Sequence, residues 1–347
     1  MPIDAAQRTA SRTARDGGAG LATPSRAVPA LSIAVCTHDR AERLVRALGS
    51  LIAQTVAPSR LEILVIDNAS TDATRSHVDA LRARGGSIRY LYEPTLGLTH
   101  ARNRALHAAR APYLAFLDDD EVADPGWAAQ LLAAIDAIRP APACIGGPIA
   151  PLWEAPRPDW LGDALLGYYS VIDLGPELHR LDPTRTPLYG GNFCFARTPL
   201  IAVGGFDATL GRRGAHLLSN EDVWAQRRLA RAGGTIWYVP GARVRHEVPA
   251  ARLTPDWVAE RAWWQGFSDA RMRRLEGGSA GRHAVGATLA WLRSLGAHRE
   301  LPDAERDLLR RCARRHVAGV LREWGQPRLG APPSRHPPAA LAEVAPR

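Results

Sequence analysis

Between positions 31 and 117 short apolar runs alternate with amphipathic stretches, and no other pattern in the chain restricts its fold as tightly. Leu31–Thr37 (LSIAVCT), Leu61–Asp67 (LEILVID), Ile88–Tyr92 (IRYLY) and residues 113–117 (YLAFL) have the length and aliphatic content of buried strands. The stretch after the first run places Leu44, Leu48, Leu51 and Ile52 at helical spacing, Asp72 is positioned to cap a second helix, and residues 99–110 read as a third. Repeated strand and helix units of this length predict an α/β fold, a mostly parallel sheet with helices on both faces.

From residue 148 the pattern changes. Prolines with Trp153, Trp160, Tyr168 and Tyr169 fill residues 148–188, which predicts a long connection along the sheet edge. Then follow a strand over 190–196, a glycine-rich loop over 204–214, a helix opening at Glu221, a strand over 235–239, and arginine-rich helices over 254–275 and 281–324. A chain of 347 residues with 46% hydrophobic content can bury a full core. The expected organisation is one globular domain over 29–250, with halves at 29–150 and 151–250, then a basic helical extension over 251–325. Residues 1–28 and the Pro-rich 326–347 hold little to bury and are expected to be disordered.

Cys36, Cys144, Cys194 and Cys312 are far apart and form no CxxC pair, so neither a zinc site nor a disulfide framework is expected. No apolar run approaches the roughly 20 residues that cross a bilayer, and the first residues lack the apolar core of a secretory signal. The expected location is the cytoplasm. The formal charge of +9 comes from arginine, since the chain has no lysine. Codon usage in a GC-rich genome accounts for that blandly; the functional alternative is attraction to nucleoside diphosphates or anionic lipid head groups. With no RRM, KH or zinc-finger signature, nucleic acid is not an expected partner.

Three clusters carry chemistry. Asp118, Asp119, Asp120 and Glu121 follow an apolar strand directly, at the end of a parallel strand where open α/β sheets bind ligands. Like charges so close together call for a cation, and hard carboxylate oxygens suit Mg²⁺ or Mn²⁺. The plain alternative is a solvated turn, with Asp124 capping the next helix. Residues 67–72 (DNASTD) form either a base- or ribose-reading loop or an ordinary strand-to-helix turn. In residues 97–104 (GLTHARNR), Arg102 and Arg104 lie near a helix start suited to anionic oxygens.

Taken in order, the strand ending at Thr37 with Asp39 and Arg40, then VIDNASTD, GLTHARNRAL, FLDDDE, GGNFCFAR and SNED resemble family 2 glycosyltransferases of the GT-A fold over residues 31–250. The tract over 204–270, with RLTPDWVAERAWWQGFSDA, is similar to a bacterial subgroup associated with extracellular or envelope polysaccharide assembly. The resemblance implies a nucleotide-binding first half and an acceptor-binding second half. It implies that Thr37 and Asp67 contact the nucleoside, that Arg40, Arg102, Asp118 and Asp119 complete the nucleotide-sugar site, and that Asp120 and His246 hold a divalent metal. The DDDE register leaves open which of Asp118, Asp119 and Asp120 is the ligand. Asp222 is the implied catalytic base of an inverting transfer, with Glu221 orienting the acceptor; acids at a helix start are the bland account of both.

Gly191, Asn192 and Trp264 are the expected acceptor-binding residues, although Trp263, Trp264 and Phe267 also suit simple helix packing. The QxxRW signature of processive synthases is missing, which points to single transfer. The expected partners are a nucleotide-diphosphate sugar and a saccharide or lipid-linked acceptor. The helices over 281–324 either rest on the anionic inner face of the plasma membrane or present ordinary solvated faces. Two other classes stay open: a sugar nucleotidyltransferase, which would normally carry a glycine-rich phosphate loop with a lysine, and a non-catalytic sugar-nucleotide-binding scaffold.

Overall fold

The computed structural model describes residues 28–296 and 300–326. The tails expected over 1–28 and 326–347 lie, but for their inner ends, outside the described residues. The predicted alternation is present as β1 (Leu31–Thr37), α1 (Ala41–Ile52), β2 (Leu61–Asp67), α2 (Thr74–Ala83), β3 (Ile88–Tyr92), α3 (Leu98–Ala108) and β4 (Tyr113–Phe116). The chain continues through β5 (Glu121–Ala123), α4 (Trp127–Ala137), β6 (Cys144–Gly146), β7 (Ile149–Trp153), β8 (His179–Leu181), β9 (Phe193–Ala196), α5 (Arg197–Ala202), α6 (Glu221–Arg231), β10 (Ile236–Tyr238) and β11 (Val244–Val248). Three helices follow: α7 (Pro255–Leu275), α8 (Ala280–Gly296) and α9 (Asp303–Trp324). Among the described residues no helix is long and apolar enough to cross a membrane.

Eight strands form one sheet in the order β3-β2-β1-β4-β9-β6-β10-β8, and only β9 and β8 run against the other six. The strand period sorts side chains to two cores. Leu31, Ile33, Val35, Ile63 and Val65 pack on one face with Leu44 and Leu48 of α1 and Leu131 of α4. Ala34, Leu64 and Ile66 point the other way, onto Ala101 and Ala105 of α3 and Leu229 of α6. Burial on both faces explains why these strands read as unbroken apolar runs.

The segment over 148–188 is not a bare connection. It contains β7, a 3₁₀ helix at Asp163–Tyr169, and β8 on the edge of the main sheet. β7 and β5 flank β11 in a second, three-stranded sheet. The strand expected over 190–196 begins only at Phe193, because Gly190 turns at φ +74° before it. Asp124 does not cap α4, which starts at Trp127 with no side-chain cap. Asp72 accepts from the N–H of Thr74, the first residue of α2, at 2.9 Å, and from that of Ala41, the first residue of α1, at 3.0 Å. The helices expected over 281–324 are α8 and α9.

α7 and α9 cross at two glycines. A Cβ on Gly266 would stand 2.0 Å from the His316 carbonyl oxygen, and one on Gly319 would stand 2.0 Å from that of Trp263. Buried Glu323 of α9 receives Arg271 at 2.9 Å and Arg274 at 3.0 Å, so the α7 to α9 contact is tied by charge as well as by close approach.

Candidate active site

Neighbouring β1 and β4 end side by side and deliver Thr37 beside the acidic turn. The Thr37 hydroxyl donates to Asp119 Oδ2 at 2.8 Å, and Arg40 donates to Asp119 Oδ1 at 2.9 Å and to Asp120 Oδ2 at 3.1 Å. Both oxygens of Asp119 are therefore engaged within the protein. Burial pushes its carboxyl up to about 6, opposed by the Arg40 charge and reinforced by Asp120.

Asp120 is placed differently. β5 and β11 pair antiparallel with His246 opposite Glu121, and the Glu247 N–H donates to the Asp120 carbonyl at 2.8 Å. The register sets His246 Nε2 at 3.7 Å from Asp120 Oδ2, while Nδ1 meets the Tyr169 carbonyl at 2.9 Å. A carbonyl only accepts, so Nδ1 carries a proton and Nε2 faces the carboxylate. Burial opposes ionisation of Asp120, but His246, followed by Arg40 and Arg252, outweighs it and holds the carboxyl well below the usual range. A proton on Nε2 or a divalent cation between the two groups satisfies this pair. One carboxylate and one imidazole with a fixed outer hydrogen bond are suitable ligands for Mn²⁺ or Mg²⁺, whose remaining positions are commonly taken by substrate phosphates and water. Among the described residues no three His, Cys, Asp or Glu side chains form a complete protein cage.

Close behind, Gly191 permits an approach that no side chain allows: a Cβ there would lie 2.4 Å from the Asp118 nitrogen and 2.4 Å from Glu121 Oε2. Glu121 accepts from the N–H of Asp118 and of Gly191, each at 3.2 Å. Burial, then the Asp118 charge, push its carboxyl up to about 8.

Across the site, α6 begins with Glu221 and Asp222, both buried. Arg102 of α3, only 2% exposed, donates to Glu221 Oε1 at 2.6 Å and reaches Asp118 Oδ1 at 3.4 Å. Its guanidinium carbon lies 4.9 Å from the centre of the Phe193 ring. Asp222 Oδ1 accepts from the Val223 N–H at 2.7 Å. Burial and the neighbouring Glu221 push the Asp222 carboxyl up to about 7, against the pull of Arg102.

Two adjoining cavities meet at this cluster. The smaller, about 280 Å³, is lined by Thr37, Arg40, Asp118, Asp119, Asp120 and His246. The larger, about 670 Å³, is lined by Arg102, Asp118, Glu221 and Asp222, and its far wall comes from α8 and α9. Asp118 and Arg212 belong to both linings.

Thus Thr37, Arg40, Arg102, Asp118, Asp119, Asp120, His246, Glu221 and Asp222 come together, whereas four expected residues do not line either cavity. Asp67 accepts from the Tyr90 hydroxyl at one carboxylate oxygen and from the Ser70 N–H at the other, contacts that hold it within the turn after β2. Gly191 lies behind the acidic turn, leaving its neighbour Gly190 on the larger cavity. The Asn192 side chain accepts from Trp127 Nε1 and donates to the Pro148 and Ala242 carbonyls, deep in the fold. Trp264 packs against His216, Trp263 and Phe267. Arg212, Arg252, Arg261 and Tyr168 line the cavities without any sequence signal beyond their residue type.

The model of glycosyl transferase family 2 matches residues 32–186. The chain is 27% identical over 245 residues to the glucosyl-dolichyl phosphate glucuronosyltransferase of Haloferax volcanii, covering 69% of this chain and 75% of that protein. It is 31% identical over 247 residues to the succinoglycan biosynthesis protein ExoM of Rhizobium meliloti, covering 70% of this chain and 74% of ExoM. The fold matches that of the mannosyltransferase PcManGT from Pyrobaculum calidifontis, solved in complex with GDP-Man and Mn²⁺, with a TM-score of 0.56 and 19% identity over 86% of this chain and 87% of that one.

Proposed function

Because the chain belongs to glycosyl transferase family 2, with the GT-A fold, we propose that it is an inverting, metal-dependent enzyme. In this reading it moves a sugar from a nucleotide-diphosphate sugar to a hydroxyl of a saccharide or lipid-linked acceptor. The observation that carries the reading is the meeting of two cavities at Asp118, with an acidic, imidazole-bearing pocket on one side and a buried carboxylate, Asp222, on the other.

The smaller cavity takes the donor, with Thr37, Arg40 and Asp118 toward the nucleotide and sugar, and the larger takes the acceptor. Asp222 receives the proton of the acceptor hydroxyl as that oxygen bonds to the anomeric carbon and the bond to the diphosphate oxygen breaks, inverting the centre. A carboxyl raised by burial to about 7 is a stronger base than an exposed aspartate and stays ionised in a useful fraction near neutral pH. Glu221 is a positioning residue, its Oε1 holding Arg102 in place. Arg40 and Arg252 add positive charge beside the departing diphosphate. A divalent cation held by Asp120 and His246 would neutralise that charge further.

ExoM and the glucuronosyltransferase, as named, support a role in polysaccharide or lipid-linked sugar assembly. Peripheral contact with an anionic membrane at its cytoplasmic face belongs to the same reading. Val285, Leu289 and Leu292 are 59%, 45% and 48% exposed along one side of α8, beside exposed Arg282 and Arg293. Flotation with anionic liposomes tests this part, and binding that ignores both salt and Leu289→Asp counts against it.

The deciding experiment is a screen of nucleotide sugars for binding and hydrolysis with Mn²⁺, Mg²⁺ or EDTA, on wild type, Asp120→Ala and Asp222→Ala. One donor should turn over only with metal, Asp120→Ala should weaken its binding, and Asp222→Ala should bind it without transfer. If no nucleotide sugar binds with any metal, the proposal fails.

A further inference from the structure

The larger cavity carries positive charge that the transfer chemistry leaves unused. Arg212, in the loop between α5 and α6, lines both cavities, and among the described residues its guanidinium makes no hydrogen bond or ion pair. Arg261 of α7 lines the larger cavity alone. Its Nη2 donates to Gln265 at 2.9 Å and approaches Ser219 Oγ at 3.4 Å, while Nη1 is buried with no hydrogen-bond partner among the described residues.

Among the described residues neither group forms an ion pair, although Glu221 and Asp120 act on Arg212, and Asp269, Glu221 and Asp222 on Arg261, from beyond contact distance. Glu221 pairs with Arg102, Asp222 makes no ion pair among the described residues, and Asp118 also answers to Arg102. Burial, then the nearby charges of Arg261 and Arg252, push Arg212 down to about 9, and burial lowers Arg261 as well. Two desolvated guanidinium groups of like charge are costly to hold together unless an anion joins them. Beyond them the lining turns apolar, with Ala287, Trp291, Leu309 and Ala313 from α8 and α9.

We propose that the larger cavity selects an anionic acceptor, whose phosphate or carboxylate group is held by Arg212 and Arg261 while an apolar portion lies against α8 and α9. The inference rests on assigning this cavity to the acceptor. It makes Arg261 a specificity-determining residue that takes no part in donor binding or proton transfer.

The test is a calorimetric titration of the full chain in two steps. The donor site is first saturated with whichever of UDP, GDP or TDP binds with Mn²⁺; then octyl phosphate, octyl glucuronide and the neutral octyl glucoside are each titrated in. The anionic probes should bind about tenfold or more tightly than octyl glucoside, the scale of one charge-assisted hydrogen bond. That advantage should fall in Arg212→Gln and Arg261→Gln and be largely restored in Arg261→Lys, while nucleotide affinity is unchanged in Arg261→Gln. Preference for octyl phosphate identifies a lipid phosphate, and preference for octyl glucuronide an acidic saccharide. Equal binding of the neutral probe, an advantage that survives both substitutions, or no binding of any probe overturns the inference. Failure of the first step alone instead strikes the glycosyltransferase reading, and the probes are then titrated into the nucleotide-free protein.

Discussion

Arg102 Nη1 stands 2.6 Å from Glu221 Oε1, and the second nitrogen of the same guanidinium reaches Asp118 at 3.4 Å. One buried cation thus joins the acidic turn after β4 to the first turn of α6, residues far apart in sequence. Truncating it leaves Glu221 buried without a counter-charge. Arg102→Ala should therefore lose about 3–5 kcal/mol of unfolding free energy. Urea denaturation measures this directly, and a loss within ordinary surface-mutation range would mean that the pair is not sealed from water.

Asp222→Asn keeps the side chain's shape and removes its basicity. Transfer should drop by about 10²–10⁴ in kcat, the usual contribution of a positioned general base, with nucleotide affinity unchanged by calorimetry. Retained turnover would assign the proton to another group, Glu221 first.

The same carboxyl gives a signed pH dependence. A base must be unprotonated to act, and burial raises Asp222 to about 7. Activity should therefore be low on the acid side, rise through neutrality as Asp222 ionises, and level off above it. A pH profile of kcat/KM for transfer checks this; a profile already flat well below neutrality contradicts it, because an unperturbed aspartate would be fully ionised there.

At the α7 to α9 crossing, Gly266→Ala drives a methyl group into the His316 carbonyl. The helices must separate, at a cost of about 1–3 kcal/mol or more. A lowered denaturation midpoint is the expected result. An unchanged midpoint would show that the crossing has slack.

The smaller, acidic cavity was largely legible because its strands are apolar runs that stop where its polar side chains begin, β1 at Thr37 and β4 just before Asp118, whereas Asp67, at the end of β2, lines neither cavity. Sequence locality serves there, since parallel strands bring their own ends together. It fails for β7 and β8, whose three to five residues among prolines and aromatics carry too few turns of the two-residue period to stand out. It fails again for Asn192, whose polar character reads as a binding group until three partners absorb it inside the fold. Arg212 and Arg261 are indistinguishable in sequence from the chain's many other arginines, because what sets them apart is that, among the described residues, neither forms an ion pair where it lines the cavity, a property of tertiary structure alone.

The glycine contact between α7 and α9 also bears on how such a chamber diversifies. With backbone already against backbone, α9 cannot slide inward, and it cannot retreat without breaking the Glu323 pairs. Under the proposed acceptor role, new substrate ranges are therefore reached by exchanging individual cavity side chains such as Leu309 of α9 and Trp291 of α8, which makes these positions the natural targets for re-engineering.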